Sequence, residues 1–285
     1  MSQALTEPRD KILSLRLQQA VGSLGALLAL VILGASILLR LTTHMTDDGT
    51  VHSTLPTATE NAVRMVHRLT ASGVGLLALL ATVLCWMQRR VAPQTVKPVV
   101  WLVLVTVVLA VIGPLTPGYR YTLVTVTNVV GGTVLLGACW WLREALSSGA
   151  TPYPTEPHRL LRVTLVILAV HVALGATASG LEMRGIHWVA FVHTGSALLT
   201  TLLLGSILWD RRKHAPLHTL VAAMTAILSL QIMLGMVALW VHGRPVAVGF
   251  VHAMLSPLLV AGLVSIAIRD RTSPATIPAY NQPEN

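Results

Sequence analysis

Apolar residues along this chain come in blocks of about 20, each closed by a short polar or basic stretch. A helix of about 20 residues crosses a hydrocarbon core of roughly 30 Å. Backbone groups in lipid have no water to bond. Continuous apolar blocks therefore mean helices, because barrel strands would alternate apolar and polar positions. The blocks predict eight spans at 17–39, 62–88, 97–114, 120–142, 159–180, 187–208, 216–240 and 246–268. The third is the shortest and ends at Gly113-Pro114. The expected fold class is all-α, a polytopic membrane protein. The tail 273–285, after the last basic residue, is expected to be disordered.

Composition agrees with that picture. Apolar residues make up 54% of the 285 and charged residues only 11%, well below the share of an ordinary soluble domain. A net charge of +9 would suggest nucleic acid in a soluble protein; here the charges sit in short loops and orient the chain instead. Fourteen Lys and Arg residues, from Arg9 to Arg271, fall on one side of the predicted spans. Only Arg40, Arg64, Arg68, Arg120, Arg184 and Arg244 fall on the other. The positive-inside rule then puts both termini in the cytoplasm, as an even number of spans requires. No small-residue cleavage site follows the first apolar block, so it is expected to be retained. Cys85 and Cys139 lie near span ends with no spacing that suggests a metal site or disulfide framework. The first outer loop, 40–61, is polar and is a candidate cap over an outer site.

The two halves of the chain resemble each other. Leu33-Gly34-Ala35 recurs as Leu174-Gly175-Ala176, and Val66-His67 recurs as Val192-His193. Val126-Thr127-Asn128 corresponds to Phe250-Val251-His252. These pairings predict two repeated four-helix bundles, 1–146 and 156–272, related by an axis along the membrane normal.

His67, His193 and His252 each lie a few residues inside the outer end of a predicted span, roughly 8–12 Å deep at helical rise. Ionisable groups at such depth are costly and usually functional. A neutral imidazole is an axial ligand for heme iron and also binds zinc or copper. Zinc or copper take three or four ligands, commonly with cysteine or carboxylate, and the second half offers neither at that depth. Two histidines on separate helices suit a bis-histidine heme. Small residues follow each site: Ala71 and Gly75, Gly131 and Gly132, Ser196 and Ala197. They fit a flat macrocycle and close helix packing equally well. His171 lies four residues before Gly175, as Gln231 lies four before Gly235; it reads as helix-packing glue or support for a ligand. Cytochrome b subunits that stack two hemes need paired histidines at two depths on one helix, a pattern that is missing here.

Leu39-Arg40-Leu41-Thr42 closing span 1, His67-Arg68-Leu69-Thr70-Ala71 opening span 2, Gln231-Ile232-Met233-Leu234-Gly235 in span 7 and His252 in span 8 stand in an order and spacing that resemble the heme A synthases. The likeness covers about 15–270. It implies that His193 and His252 hold heme b, while the N-terminal half takes the substrate, heme O, near His67. It further implies oxidation of a heme O methyl to formyl, giving heme A for cytochrome c oxidase, in a bacterial plasma membrane. The sequence departs from the family at three places. Asn128 stands where the family has a histidine. Arg64 stands where it often has a glutamate, leaving Glu60 one turn away as the nearest carboxylate. The outer-loop cysteine pair is missing. By resemblance, His67, Glu60 and Asn128 belong to the reacting end, and Arg64 and Arg68 face heme propionates. The departures motivate an alternative, a non-catalytic heme b protein that carries electrons or handles heme during oxidase assembly. A transporter, suggested by the repeat alone, would show more midplane polar residues. Expected partners are membrane lipid, a heme O synthase, oxidase assembly factors and a second copy of the chain, with no nucleic acid.

Overall fold

A computed structural model describes residues 7–45, 51–113, 122–147, 159–182, 188–241 and 245–272. Among these residues there are eight long helices: α1 (Glu7–Leu41), α2 (Thr57–Gln88), α3 (Val96–Ile112), α4 (Thr122–Ser147), α5 (Arg159–Glu182), α6 (Trp188–Arg211), α7 (His218–Trp240) and α8 (Val246–Thr272). All eight contain a stretch long and apolar enough to cross a membrane, so the all-α polytopic expectation holds. The predicted tail 273–285 lies outside the described residues. So do Pro114, Arg120, Arg184 and Arg244.

Boundaries differ from the hydropathy reading where polar residues extend a helix. The outer loop 40–61 is not loop throughout. It holds an antiparallel hairpin, β1 (Thr43–Met45) with β2 (Val51–Ser53), in which His44 pairs with His52. The first turn of α2 then starts at Thr57, five residues before the predicted span. Three-residue strands carry no readable alternation, which is why the pattern missed them. The Leu39-Arg40-Leu41-Thr42 segment ends α1 without a glycine. Thr42 Oγ1 donates to Leu38 O at 2.8 Å, and Thr43 Oγ1 donates to Leu39 O, so hydroxyls satisfy carbonyls that the helix end would orphan. The hairpin anchors there, with Thr54 N donating to Thr42 O at 2.7 Å.

Buried apolar side chains fall into two clusters. One, around Leu33, Leu102, Leu136 and Leu142, belongs to α1–α4. The other, around Leu168, Leu204, Met224 and Leu263, belongs to α5–α8. In the first group α1 packs on α2 and α4, and α3 packs on α2 and α4; in the second, α5–α6, α6–α7, α7–α8 and α5–α8 meet in the same cyclic order. The closing contact is far thinner between α5 and α8 than between α1 and α4. The α2–α3 and α6–α7 connections also match. Each has Trp-x-x-Arg at the helix end (Trp86 and Arg89, Trp209 and Arg212), with the guanidinium stacked over the indole, then a single 3-10 turn (Pro93–Thr95, Ala215–Leu217).

Exposed tryptophans bracket α6: Trp188 at its start and Trp209 near its end, 64% and 68% exposed. Their 21-residue separation is about 31 Å of helix, a hydrocarbon thickness with an aromatic residue at each interface. His193 lies five residues beyond Trp188, hence about 8 Å inside.

The second group joins the first through α8, which packs on α1 and α4, and through α5, which packs on α4. Near the end opposite the hairpin, Trp140 Nε1 donates to Ser265 Oγ at 2.7 Å, and Arg269 reaches the buried carboxylate of Glu144 at 3.1 Å, which Arg143 also contacts. Glu144→Ala removes the shared acceptor, and the half-exposed arginines re-solvate. The expected cost is about 1–3 kcal/mol, seen as a lower midpoint in detergent melting followed by helical circular dichroism. An unchanged midpoint would show that this clamp contributes nothing to joining α4 and α8.

Candidate functional site

His193 and His252 converge. His193, on the first turns of α6, and His252, on those of α8, bring their ring centres to 6.5 Å with perpendicular planes. His171 of α5 joins them, stacked on His193 at 4.3 Å between centres and 14° between planes. Three helices thus contribute three imidazoles at one depth. All three rings are largely sheltered, His171 most of all.

Two glycines make this possible. A Cβ on Gly175 would lie 2.8 Å from His193 Cε1, closer than real side chains come. A Cβ on Gly235 would lie 3.2 Å from His252 Cε1. Each histidine is therefore seated against the bare backbone of the preceding helix. The small residue four positions after His171 and Gln231 is there to admit the ring of the next helix.

Hydrogen bonds set which nitrogen carries the proton. His252 Nδ1 lies 3.1 Å from the main-chain carbonyl of Gln231, which only accepts, so Nδ1 donates and the lone pair is on Nε2. The Gln231 side chain donates through Nε2 to Ser256 Oγ at 2.9 Å. The Ser196 hydroxyl donates its one proton to His193 O at 2.7 Å, so at 2.8 Å from His171 Nδ1 its oxygen accepts. His171 too carries its proton on Nδ1. The same joint occurs twice: a polar residue bonded to a serine of the next helix, with a glycine one turn on that admits a histidine. His171, Gly175, His193 and Ser196 form one set; Gln231, Gly235, His252 and Ser256 form the other. The near-constant offset of about 60 residues was present in the sequence, while the glycines' role is visible only in the packing.

The N-terminal candidates are arranged differently. His67 sits ten residues into α2, half-buried, and its ring makes no contact with the other three among the described residues. Gly34, in the repeat of the Leu-Gly-Ala motif, faces the ring of Phe250 and the terminal methyl of Met254 of α8 rather than a histidine. Asn128 is half-buried on α4. The small residues after it are filled by neighbours: Gly131 by Leu109 and Gly132 by Leu33, so these serve helix packing. Glu60 occupies the first turn of α2 and accepts from Arg64 Nε at 2.8 Å, one turn on. Arg64 is thus half-buried and paired, while Arg68 is exposed. Arg40, counted as an outer-side charge in the sequence, is buried.

Elsewhere, an apolar groove of about 310 Å³ runs between α1, α4, α7 and α8, past Leu27, Trp140 and Met224, and contains none of the candidate residues. Cys85 and Cys139 are buried and unbridged. In comparison with known proteins, no family model matches the chain and no curated protein matches it.

The two glycines differ in clearance, so their alanine variants are expected to differ in cost. Gly175→Ala should destabilise by about 1–3 kcal/mol through overpacking against His193, and Gly235→Ala by less. Thermal midpoints of the two purified variants check the order; equal midpoints would mean that the His193 ring rotates aside freely.

Proposed function

We propose that this protein is a membrane heme protein of the heme A synthase kind. His193 and His252 hold the iron of a heme b, and the α1–α4 half presents His67 to a second heme, heme O, whose methyl group is oxidised to formyl. The observation that carries the heme reading is the 6.5 Å between the two ring centres. With metal–nitrogen bonds of about 2 Å and about 1.2 Å from nitrogen to ring centre on each side, His193 and His252 so spaced would hold one iron between them, and that iron would supply the redox chemistry.

The supporting residues fit the same group. The Gln231 carbonyl holds His252 in the tautomer whose Nε2 is a ligand, as is usual for metal-bound histidine. The bare backbone at Gly175 and Gly235 lets both rings stand close to the helices, and the thin α5–α8 contact leaves this group the less tightly closed of the two. A heme iron needs only two protein ligands, in keeping with a pair on α6 and α8. When bound, the heme supplies one-electron redox chemistry, and the chain supplies position, dielectric and ligand basicity.

The fused-repeat architecture belongs to this proposal. It rests on the two apolar cores, the common cyclic packing and the matching α2–α3 and α6–α7 connections. So do cytoplasmic termini and a bacterial plasma membrane, which follow from the loop charges and the resemblance. In the substrate half, His67 is the group to meet a heme iron, and Arg68 is the exposed cation nearest in sequence for a propionate. Asn128 stands where a second ligand would come, so ligation there would be single and leave one iron position for substrate chemistry.

A second reading, a heme b protein without turnover, is favoured by Glu60. Its carboxylate is engaged by Arg64 rather than open to act as a base in place of the missing glutamate. Co-expression with a heme O synthase, followed by extraction of pigments, separates the two. Heme A above background is the expected result; bound heme b without heme A selects the carrier or chaperone role.

Purified wild-type protein should show a six-coordinate low-spin heme b spectrum. His252→Ala should lose it, leaving high-spin or no heme, because α8 offers no other imidazole beside that ring. A low-spin spectrum unchanged in His252→Ala would overturn the ligand assignment.

A further inference from the structure

His171 has no part in the function proposed above, on which the following inference rests. Three observations set it apart from a packing residue. Its ring stands beside that of His193, nearly parallel and 4.3 Å away. The Ser196 hydroxyl, committed as a donor to His193 O, places the His171 proton on Nδ1 and the lone pair on Nε2. That is the tautomer fixed at His252 by a carbonyl. Nε2 of His171 has no hydrogen-bond partner among the described residues.

The repeated joint supplies the third observation. Where the α5–α6 pair has His171 bonded to Ser196, the α7–α8 pair has Gln231 bonded to Ser256 at 2.9 Å. A glutamine is sufficient to tie two helices through that serine. An imidazole at the same place makes the same tie and adds a metal-binding nitrogen, which an amide does not offer.

We propose that His171 is a reserve axial ligand for the heme iron. If the bond from His193 to iron broke, a bond from His171 Nε2 would form in its place. The exchange moves no electron and no proton, since Nδ1 keeps its hydrogen on Ser196. The α5–α6 side then carries two imidazoles able to take one axial position, against one from α8. Loss of His193 and loss of His252 therefore have unequal consequences.

The test uses the full-length purified protein and reads the spin state of its heme by optical absorption and electron paramagnetic resonance. His193→Ala, with His193→Leu alongside to preserve volume, is expected to remain low-spin with shifted resonance positions. Adding His171→Gln, which can retain the tie to Ser196, should convert either variant to high-spin heme, and added imidazole should return it to low spin. A single His193 variant that is already high-spin, while wild type is low-spin, overturns the reserve role and leaves the heme reading intact. So does a double variant that stays low-spin. Wild-type protein without any heme removes the heme reading itself.

Discussion

A polypeptide in hydrocarbon has nothing but itself to bond with, and this constraint governs every part of the molecule. It makes the spans helical and decides what their polar side chains do. Hydroxyls of Thr70, Thr82, Thr106, Thr133, Thr164, Thr200 and Thr225 each donate to the carbonyl four residues back in their own helix. Such residues are self-satisfied and leave the helix faces effectively apolar. Among the described residues, polar groups that instead reach across to another helix include those of the histidine cluster at one end of the spans, and the Glu144 clamp and the Gln19–Ser147 bond at the other.

At the histidine cluster the same constraint makes the chemistry specific. Imidazoles at this depth need partners, and those of His252 and His171 are a main-chain carbonyl and a serine hydroxyl rather than charges. Both supports engage Nδ1, so they orient the ring and leave Nε2 for a ligand. Glycines admit the rings against the helix backbone, where any side chain would push them out. The N-terminal half has the same Leu-Gly-Ala motif but spends its glycine on Phe250 of α8, and its small residues near Asn128 are filled by leucines. One group of helices is arranged to seat imidazoles; the other is packed tighter through α1 and α4. That asymmetry agrees with an asparagine at position 128, where the internal repeat places His252.

Much of this was legible beforehand. Eight spans follow from apolar block length alone, because a membrane helix needs no tertiary partner to be helical. The pairing of His193 with His252 followed from equal depth and the internal repeat. His171 was readable as helix-packing glue or support for a ligand, since Gln231 and Gly235 repeat its spacing with a glutamine in its place. The hairpin over Thr43–Met45 and Val51–Ser53 was not legible, because three residues per strand carry too little pattern. The burial of Arg40 was missed for a different reason: loop charge counting treats every terminal arginine as facing water. The early start of α2 at Thr57 escaped because hydropathy measures the apolar part of a helix, while hydrogen bonding carries it further into polar sequence.

The sequence by itself determined the class of structure, the number of spans, their alternating direction and the depth of the candidate ligands. All of these depend on composition and on distance along one helix. Only the tertiary structure decided that three imidazoles from α5, α6 and α8 meet while His67 stands apart, and that Glu60 is tied to Arg64. It also decided which glycine faces a histidine and which faces a phenylalanine. Those outcomes depend on helix rotation and on the side chains of neighbours far away in sequence. In lipid, where apolar faces are nearly equivalent, small differences in close packing set that rotation.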